Sequence, residues 1–420
     1  MTGNKKVFNV VELFSGIGSQ AKALKNIGVD FNILNTCEWN LHALMAYAEI
    51  HDIKADDYEV NLPKGDIADS LFGLGISNDG KSPATQKSLM AYSEEALKKI
   101  YATVKSTRNL VDISKVRGDE LASDIDILTY SFPCQDLSNV GAFHGYTKGI
   151  DRNAGNRSGL LWEVERILLE RKEEEMFMPH FLLMENVPAL NSQRHKKNFR
   201  EWQNQLEDMG YHNEIFLLNA KDYGLPQNRE RLLMLSVLTD GDKDIEDAVE
   251  RFFNENKVKP DWYFTERKKK EGSLSDFLKT DYSIEKYRNE ALECQPNKTK
   301  SRIKIWEENV QLTDNCGNIK PITTSTLTTK QDRHPNSGNI WVGFDNGKAD
   351  FRYLTPRECF LLMGFDENDY DKVVDGNFEI KKNSMMFTRD NLIKMAGNSI
   401  AVNVLEAVFM KVVELDNILF

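Results

Sequence analysis

The chain has 420 residues, 40% of them apolar and 28% charged, an ordinary globular composition that excludes collagen, coiled coil and small disulfide scaffolds. At roughly 150 residues per domain, the length implies two or three domains. Lys and Arg total 54 against 65 Asp and Glu, and the net charge of −11 argues against coating nucleic acid with the whole surface, while leaving room for a local basic groove. The five cysteines (Cys37, Cys134, Cys294, Cys316, Cys359) form no CxxC pair, so neither a zinc site nor a disulfide framework is predicted, and a reducing cytoplasmic compartment fits best. No apolar run approaches ~18 residues. Asn9 and Glu12 break the stretch after Lys5 and Lys6, so no signal peptide is predicted either.

In chain order, strands are predicted over 7–14, 33–37, 125–131, 181–185, 213–218 and 231–237, with helices over 20–27, 41–50, 159–171 and 199–209. This alternation is that of a βα-wound parallel sheet. A polar insertion, 52–108, interrupts it: 77–85 (SNDGKSPAT) reads as a surface loop and 92–104 as a helix, with a structural role expected. From 239 to 350 the alternation fades, and a second, irregular domain is predicted there. Within it, 257–304 holds 13 Lys/Arg against 8 Asp/Glu, a local +5 that leaves −16 for the rest. Periodicity returns after Tyr353, with helices over 356–363 and 399–415, so the first domain comprises 1–238 plus 351–420.

Chemistry concentrates at predicted strand ends. FSGIGSQA (14–21) follows the first strand directly, and Gly16 and Gly18 permit a sharp turn into a helix whose free N–H groups meet a ligand. Glu38 lies twenty residues beyond Gly18, at the second strand's end, where a carboxylate accepts both hydroxyls of a ribose. Trp39 beside it offers an aromatic face for a purine. Alone, this pattern equally fits a dinucleotide fingerprint or a turn with no ligand. The third strand runs into Phe132-Pro-Cys-Gln135, placing Cys134 where a nucleophile would stand; an inert core thiol is the alternative. The fourth ends in Glu185-Asn-Val187, and a carboxylate there should face a polar cleft. Arg229 and Arg231, two apart in QNRER, share one face of an extended segment and suit a carbonyl or anion, or else form a solvated charge cluster.

These pieces, in this order, resemble the DNA cytosine-5 methyltransferase family over nearly the whole chain. The marks are FSGIGS (14–19), EWN (38–40), FPCQDLS (132–138), ENV (185–187), QNRER (227–231), RYLTPRECFLLMGF (352–365) and GNSIAVNVL (397–405). The resemblance implies an α/β fold: a Rossmann-like S-adenosylmethionine-dependent methyltransferase domain with a smaller, irregular target-recognition domain at 239–350. It assigns Phe14, Gly16, Gly18, Glu38, Trp39, Asp112, Ile113, Pro133, Leu160, Asn398 and Ser399 to the cofactor. Asp112 would read the adenine amino group, from a looser match in VDISKVRGD (111–119). Two departures stand out: Glu12 replaces the commoner Asp before FSGIGS, and the insertion is longer than in compact bacterial members.

In the scheme the resemblance implies, the Cys134 thiolate adds to carbon 6 of a flipped-out cytosine. Glu185 favours protonation at ring nitrogen 3, Arg231 holds the ring carbonyl oxygen and Arg229 supports the site. Gln135, Ser138 and Thr326 in STLT (325–328) would contact DNA. Gly141, Gly145, Gly149 and Gly155 suggest that 135–157 is a loop closing on DNA, against the alternative of a simple surface loop. The resemblance also implies double-stranded DNA as partner, a cognate restriction endonuclease acting at the same site without a stable complex, no metal, and a monomer. Two alternatives stand beside it. A tRNA cytosine-5 methyltransferase shares the motifs but usually has a shorter recognition segment than the roughly 110 residues here. An NAD-dependent Rossmann enzyme shares only the glycine turn and Glu38.

Overall fold

The computed structural model describes residues 6–55, 60–133, 137, 150, 152 and 157–420; Cys134, Gln135, Ser138 and the four glycines of the 135–157 segment lie outside the described residues. The apolar runs form one sheet from β1 (Val7–Leu13), β2 (Asp30–Cys37), β3 (Ile127–Tyr130), β4 (Phe181–Asn186), β5 (Tyr211–Asn219) and β6 (Glu230–Leu238), in the order β2-β1-β3-β4-β6-β5. β3 and β4 are buried along their whole length, as unbroken apolar strands covered on both faces must be. The first four strands are mutually parallel, but β6 runs antiparallel to both β4 and β5. The sheet is thus mainly parallel, as the alternation predicts, with β6 the one reversed strand. Only the short 220–229 segment joins β5 to β6, and a parallel crossover needs a dozen or more residues. Edge strands β2 and β5 also run longer than their apolar patterns predict, because exposed edges tolerate polar residues such as Asp30 and Asn32.

Helices α1 (Ser19–Ile27) and α2 (Leu41–Ile50) follow β1 and β2. Asn40 caps α2, its side-chain oxygen accepting from the N–H groups of His42 at 3.0 Å and Ala43 at 3.2 Å. The insertion folds into α3 (Lys64–Leu74), α4 (Gln86–Met90) and α5 (Glu94–Ser106), with α5 starting where Ser93 Oγ accepts from Ala96 at 3.1 Å. Ile67, Leu71, Leu97 and Ile100 from these helices share a buried core with Leu44 and Ile50 of α2. On the other face of the sheet, α6 (Leu161–Glu173) and α7 (Lys196–Asp208) pack over β3 and β4 through Val164, Leu168 and Trp202.

The segment after β6 begins on this same body. In α8 (Lys243–Glu255), the Phe253 ring lies 5.6 Å from that of Phe216 on β5. In α9 (Pro260–Arg267), Tyr263 donates to Glu406 at 2.8 Å. Glu406 is fully buried and also meets Arg267 at 3.1 Å and Lys269 at 2.9 Å; burial raises its carboxyl pKa, and these cations more than reverse that. The basic 257–304 stretch therefore directs part of its charge inward. Lys279 pairs with Glu367 at 2.7 Å, Lys298 with Asp350 at 2.8 Å and Lys304 with Glu308 at 3.3 Å. Beyond α9 come α10 (Leu274–Phe277), α11 (Glu285–Glu293), α12 (Lys300–Glu308) and the antiparallel pair β7 (Asn339–Trp341) and β8 (Phe351–Tyr353).

The chain re-enters the first body through α13 (Pro356–Leu362) and α14 (Glu367–Asp375). The return is pinned by Arg352 and Glu358, both wholly buried and joined by two 2.7 Å hydrogen bonds. The predicted 399–415 helix is α16 (Val402–Leu419), and a helix the periodicity did not mark, α15 (Arg389–Asn398), precedes it across an extended Ser399. The stretch Arg389–Leu419 is long and apolar enough to cross a membrane by length and composition, beyond what the run count suggested, but 78% of its most apolar window is buried inside the protein. It is a core element, with α16 packed against the sheet's core through Val404, Val408 and Val412.

Candidate functional site

A cavity of about 490 Å³ opens at the carboxyl ends of β1 to β4, within the roughly 300–1,000 Å³ typical of small-molecule sites. β1 delivers Phe14 and Gly16 to it, both in the left-handed region at φ 58° and 57°. A Cβ on Gly16 would meet nothing within 4 Å, so its backbone faces open space. Gly18 is different. It caps α1 at φ 78°, lines no part of the cavity, and a Cβ there would strike the rings of His51 and Tyr47. Its glycine is required by packing beneath the turn, whatever the backbone above it meets.

Glu38 ends β2 with each carboxylate oxygen already holding one backbone donor. Gly16 N–H donates to Oε2 at 2.9 Å and Asn40 N–H to Oε1 at 2.7 Å. Asn109 clamps the Glu38 backbone from both sides, accepting its N–H at 2.9 Å and donating to its carbonyl at 2.8 Å. Burial raises the Glu38 pKa above the ordinary carboxylate value, opposed by these two N–H groups and by Lys394. The remaining lone pairs suit two further hydroxyl donors. Trp39, Asp112, Ile113, Pro133 and Leu160 line the same cavity, and Asp112 Oδ1 is steadied by Ser114 at 2.8 Å and 3.1 Å. An aromatic plate, a fixed carboxylate and open backbone fit an adenosine with its ribose.

At the far side, β4 presents Glu185, 9% exposed, and Arg231 Nε lies 3.0 Å from its Oε1. Burial pushes the Glu185 carboxyl pKa above its ordinary value, and Arg231 and Arg229 offset this only in part. Arg229 points elsewhere: its guanidinium donates to the carbonyls of Leu327 at 3.0 Å, Gly397 at 3.2 Å and Ser399 at 2.8 Å. It is a positioning group, tying three segments around the cavity. Gln227 acts likewise, fully buried between the Leu362 carbonyl and the Leu327 N–H, both at 2.8 Å. Asn186 donates to the Phe132 carbonyl at 3.1 Å and so fixes the approach to Pro133.

Asn398 lines the cavity, whereas Ser399 is buried outside it and donates to Ser19 Oγ at 3.2 Å. Ser399 therefore joins α15 to the glycine turn. The Thr326 hydroxyl donates to the Asn228 carbonyl at 2.7 Å and ties two segments together. Cys134, Gln135 and Ser138 lie outside the described residues. Sequence reading missed Asn109, the 77–83 loop and Lys394. The lysine was detectable: it stands four residues before Asn398, on the same helix face. Among the described residues, one group has the makings of a metal site (Asp126, His180 and Asp416), but Lys6 Nζ sits 2.9 Å from Asp126 and 2.6 Å from Asp416.

Beneath the turn, Glu12 is fully buried, accepting from Ala21 N–H at 2.9 Å and from Tyr47 Oη at 2.6 Å. Burial pushes its carboxyl from 4.5 up to about 7. A raised carboxyl favours folding most where both states hold the proton. That contribution is lost as pH rises from about 4.5 to about 7, by roughly 3 kcal/mol, and is then flat. Glu12→Gln keeps an acceptor for Ala21 and offers Tyr47 a donor. Urea unfolding across this range is expected to show the variant gaining on wild type by that amount as pH rises; a constant difference would contradict a protonated Glu12.

The sequence profile of the C-5 cytosine-specific DNA methylase family matches residues 70–414. The chain is 31% identical to the orphan methyltransferase M.SssI of Spiroplasma monobiae, covering 97% of both chains. It is 30% identical to the type II methyltransferase M2.ScrFI of Lactococcus lactis subsp. cremoris, over 96% of this chain and 98% of that one. Among solved structures, the Dnmt2 methyltransferase of S. pombe superposes with a TM-score of 0.57 at 18% identity, over 98% of this chain and 100% of that one, a likeness of fold.

Proposed function

The chain belongs to the C-5 cytosine-specific DNA methylase family, and on that premise we propose that it methylates carbon 5 of a cytosine flipped out of a short, specific duplex sequence, with Cys134 as nucleophile. The observation that carries this reading is one cavity bearing a nucleoside-type end at Glu38 and a polarising pair, Glu185 and Arg231, at the other. When bound, S-adenosylmethionine supplies an electrophilic methyl group. Phe14, Gly16, Glu38, Trp39, Asp112, Ile113, Pro133, Leu160 and Asn398 would hold it, leaving S-adenosylhomocysteine as product.

Carbon 5 of cytosine is a weak nucleophile, so the ring must be activated. The Cys134 sulfur forms a bond to carbon 6, and the displaced electron pair moves through the ring toward nitrogen 3. A carboxyl with a raised pKa, such as Glu185, gives its proton to nitrogen 3 as negative charge develops there. The Arg231 guanidinium, held beside Glu185, donates to the ring carbonyl oxygen. Carbon 5 then takes the methyl group, loss of its proton to a base returns electrons that expel the thiolate, and nitrogen 3 gives its proton back to the Glu185 carboxylate. A base stacked in a duplex cannot reach this site, which is why flipping is part of the reading.

The part of 239–350 beyond α9 is assigned to target recognition, since α8 and α9 belong to the catalytic body. The names of the relatives, one type II and one orphan, fit a place in the cytoplasm of a bacterium, with or without a restriction endonuclease acting on the same sequence. The test is single-base bisulfite sequencing of DNA from a methylation-free host expressing the full chain. Methylation at one short motif is the expected result; unmodified DNA beside soluble protein would overturn the reading.

A further inference from the structure

The 52–108 insertion contributes more than packing. Gly80, Lys81 and Pro83, from the 77–83 loop, line the cavity together with Glu38, Asn40 and Lys394. The loop is rooted in the turn that carries Glu38: Ser77 N–H donates to the Trp39 carbonyl at 2.7 Å, and the Ser77 carbonyl accepts from Leu41 at 2.9 Å. It is also wired internally. Asp79 Oδ1 accepts from the N–H groups of Lys81 at 2.8 Å and Ser82 at 3.1 Å, and Gly80 N–H donates to Ser77 Oγ at 2.9 Å. Such a loop arrives at the ligand already ordered, so little is lost in ordering it on binding.

Lys394 joins the loop to α15. Its ammonium donates to the Asp79 carbonyl, and its charge acts on the Glu38 carboxylate. Gly80 makes the close approach possible. It sits at φ 65°, and a Cβ there would lie 2.6 Å from Asn40 Nδ2 and 3.5 Å from Lys394 Nζ. Loop, lysine and carboxylate thus form one connected edge, at the Glu38 end of the cavity.

We propose that the 77–83 loop is the outer wall of the nucleoside end of the S-adenosylmethionine site, and that Lys394 is a positioning residue latching this wall beside Glu38. The inference rests on the cofactor reading above. It assigns the insertion to cofactor retention, an effect on affinity that leaves the chemistry at Cys134 and Glu185 alone.

The experiment is calorimetry of the full chain with S-adenosylhomocysteine, joined to steady-state kinetics. Lys394→Met is expected to raise the Kd about tenfold, with Lys394→Arg recovering most of the loss. KM for S-adenosylmethionine should rise by the same factor while kcat at saturation falls less than about twofold, a split that general misfolding would not give. Gly80→Val wedges the loop away from Asn40 and from the Lys394 ammonium, and should weaken cofactor binding in the same way. Unchanged cofactor affinity in both variants overturns the proposal. Wild-type protein that binds no S-adenosylhomocysteine, with Glu38→Ala equally inert, overturns the cofactor reading itself.

Discussion

Cys134→Ser is expected to stop methyl transfer, by at least ~10⁴-fold in single-turnover rate, while duplex DNA and cofactor still bind. A serine hydroxyl is far less ionised and less nucleophilic than a thiol near neutral pH, so carbon 6 is left unattacked and carbon 5 never gains its electrons. No other group described around the cavity replaces it. Glu185 is proposed as the proton donor, and the guanidiniums of Arg229 and Arg231 hold fixed positive charge. A target bearing fluorine at carbon 5, which has no proton there to lose, should trap wild-type protein on DNA in a complex that survives denaturant. The serine variant should form none. Normal turnover by that variant would remove the covalent scheme.

Glu185→Gln is the second large effect, a loss of about 10² to 10⁴ in the transfer rate. The amide oxygen can still accept from Arg231, so fold and cofactor binding should survive, and only the transferable proton is gone. The alternative, truncation to Ala, would mix lost chemistry with an unpaired Arg231 inside the cavity. Separate measurement of transfer rate, DNA Kd and cofactor Kd therefore decides the role. A Gln variant at wild-type rate would reassign the proton donor.

The parts of the site legible in sequence were those at strand ends, where an apolar run stops at one polar residue. Glu38 after β2 and Glu185 within β4 stand where that logic puts them, in one cavity. Three kinds of feature escaped it. The reversed β6 depends on a connection length, which the apolar pattern of 231–237 does not encode. The packing roles of Gly18, Ser399 and Arg229 depend on tertiary neighbours that no local pattern names: His51, Ser19 and three carbonyls. The 77–83 loop has only a dense run of turn residues, and nothing local to it announces the cavity 40 residues away in sequence at Glu38.

The Arg229 guanidinium carries a lesson for exchanging specificities between relatives. Its partners lie 98, 168 and 170 residues further along the chain, so one side chain closes the circuit from Leu327, inside the segment proposed for recognition, to the last helices. A transplanted recognition segment must arrive with a backbone carbonyl where Leu327 puts one and, for Gln227, an N–H beside it. Junctions placed after α9 and before Thr324 leave that fitting in the recipient's own chain. Cuts drawn at 239 and 350, where the sequence pattern changes, would carry it away.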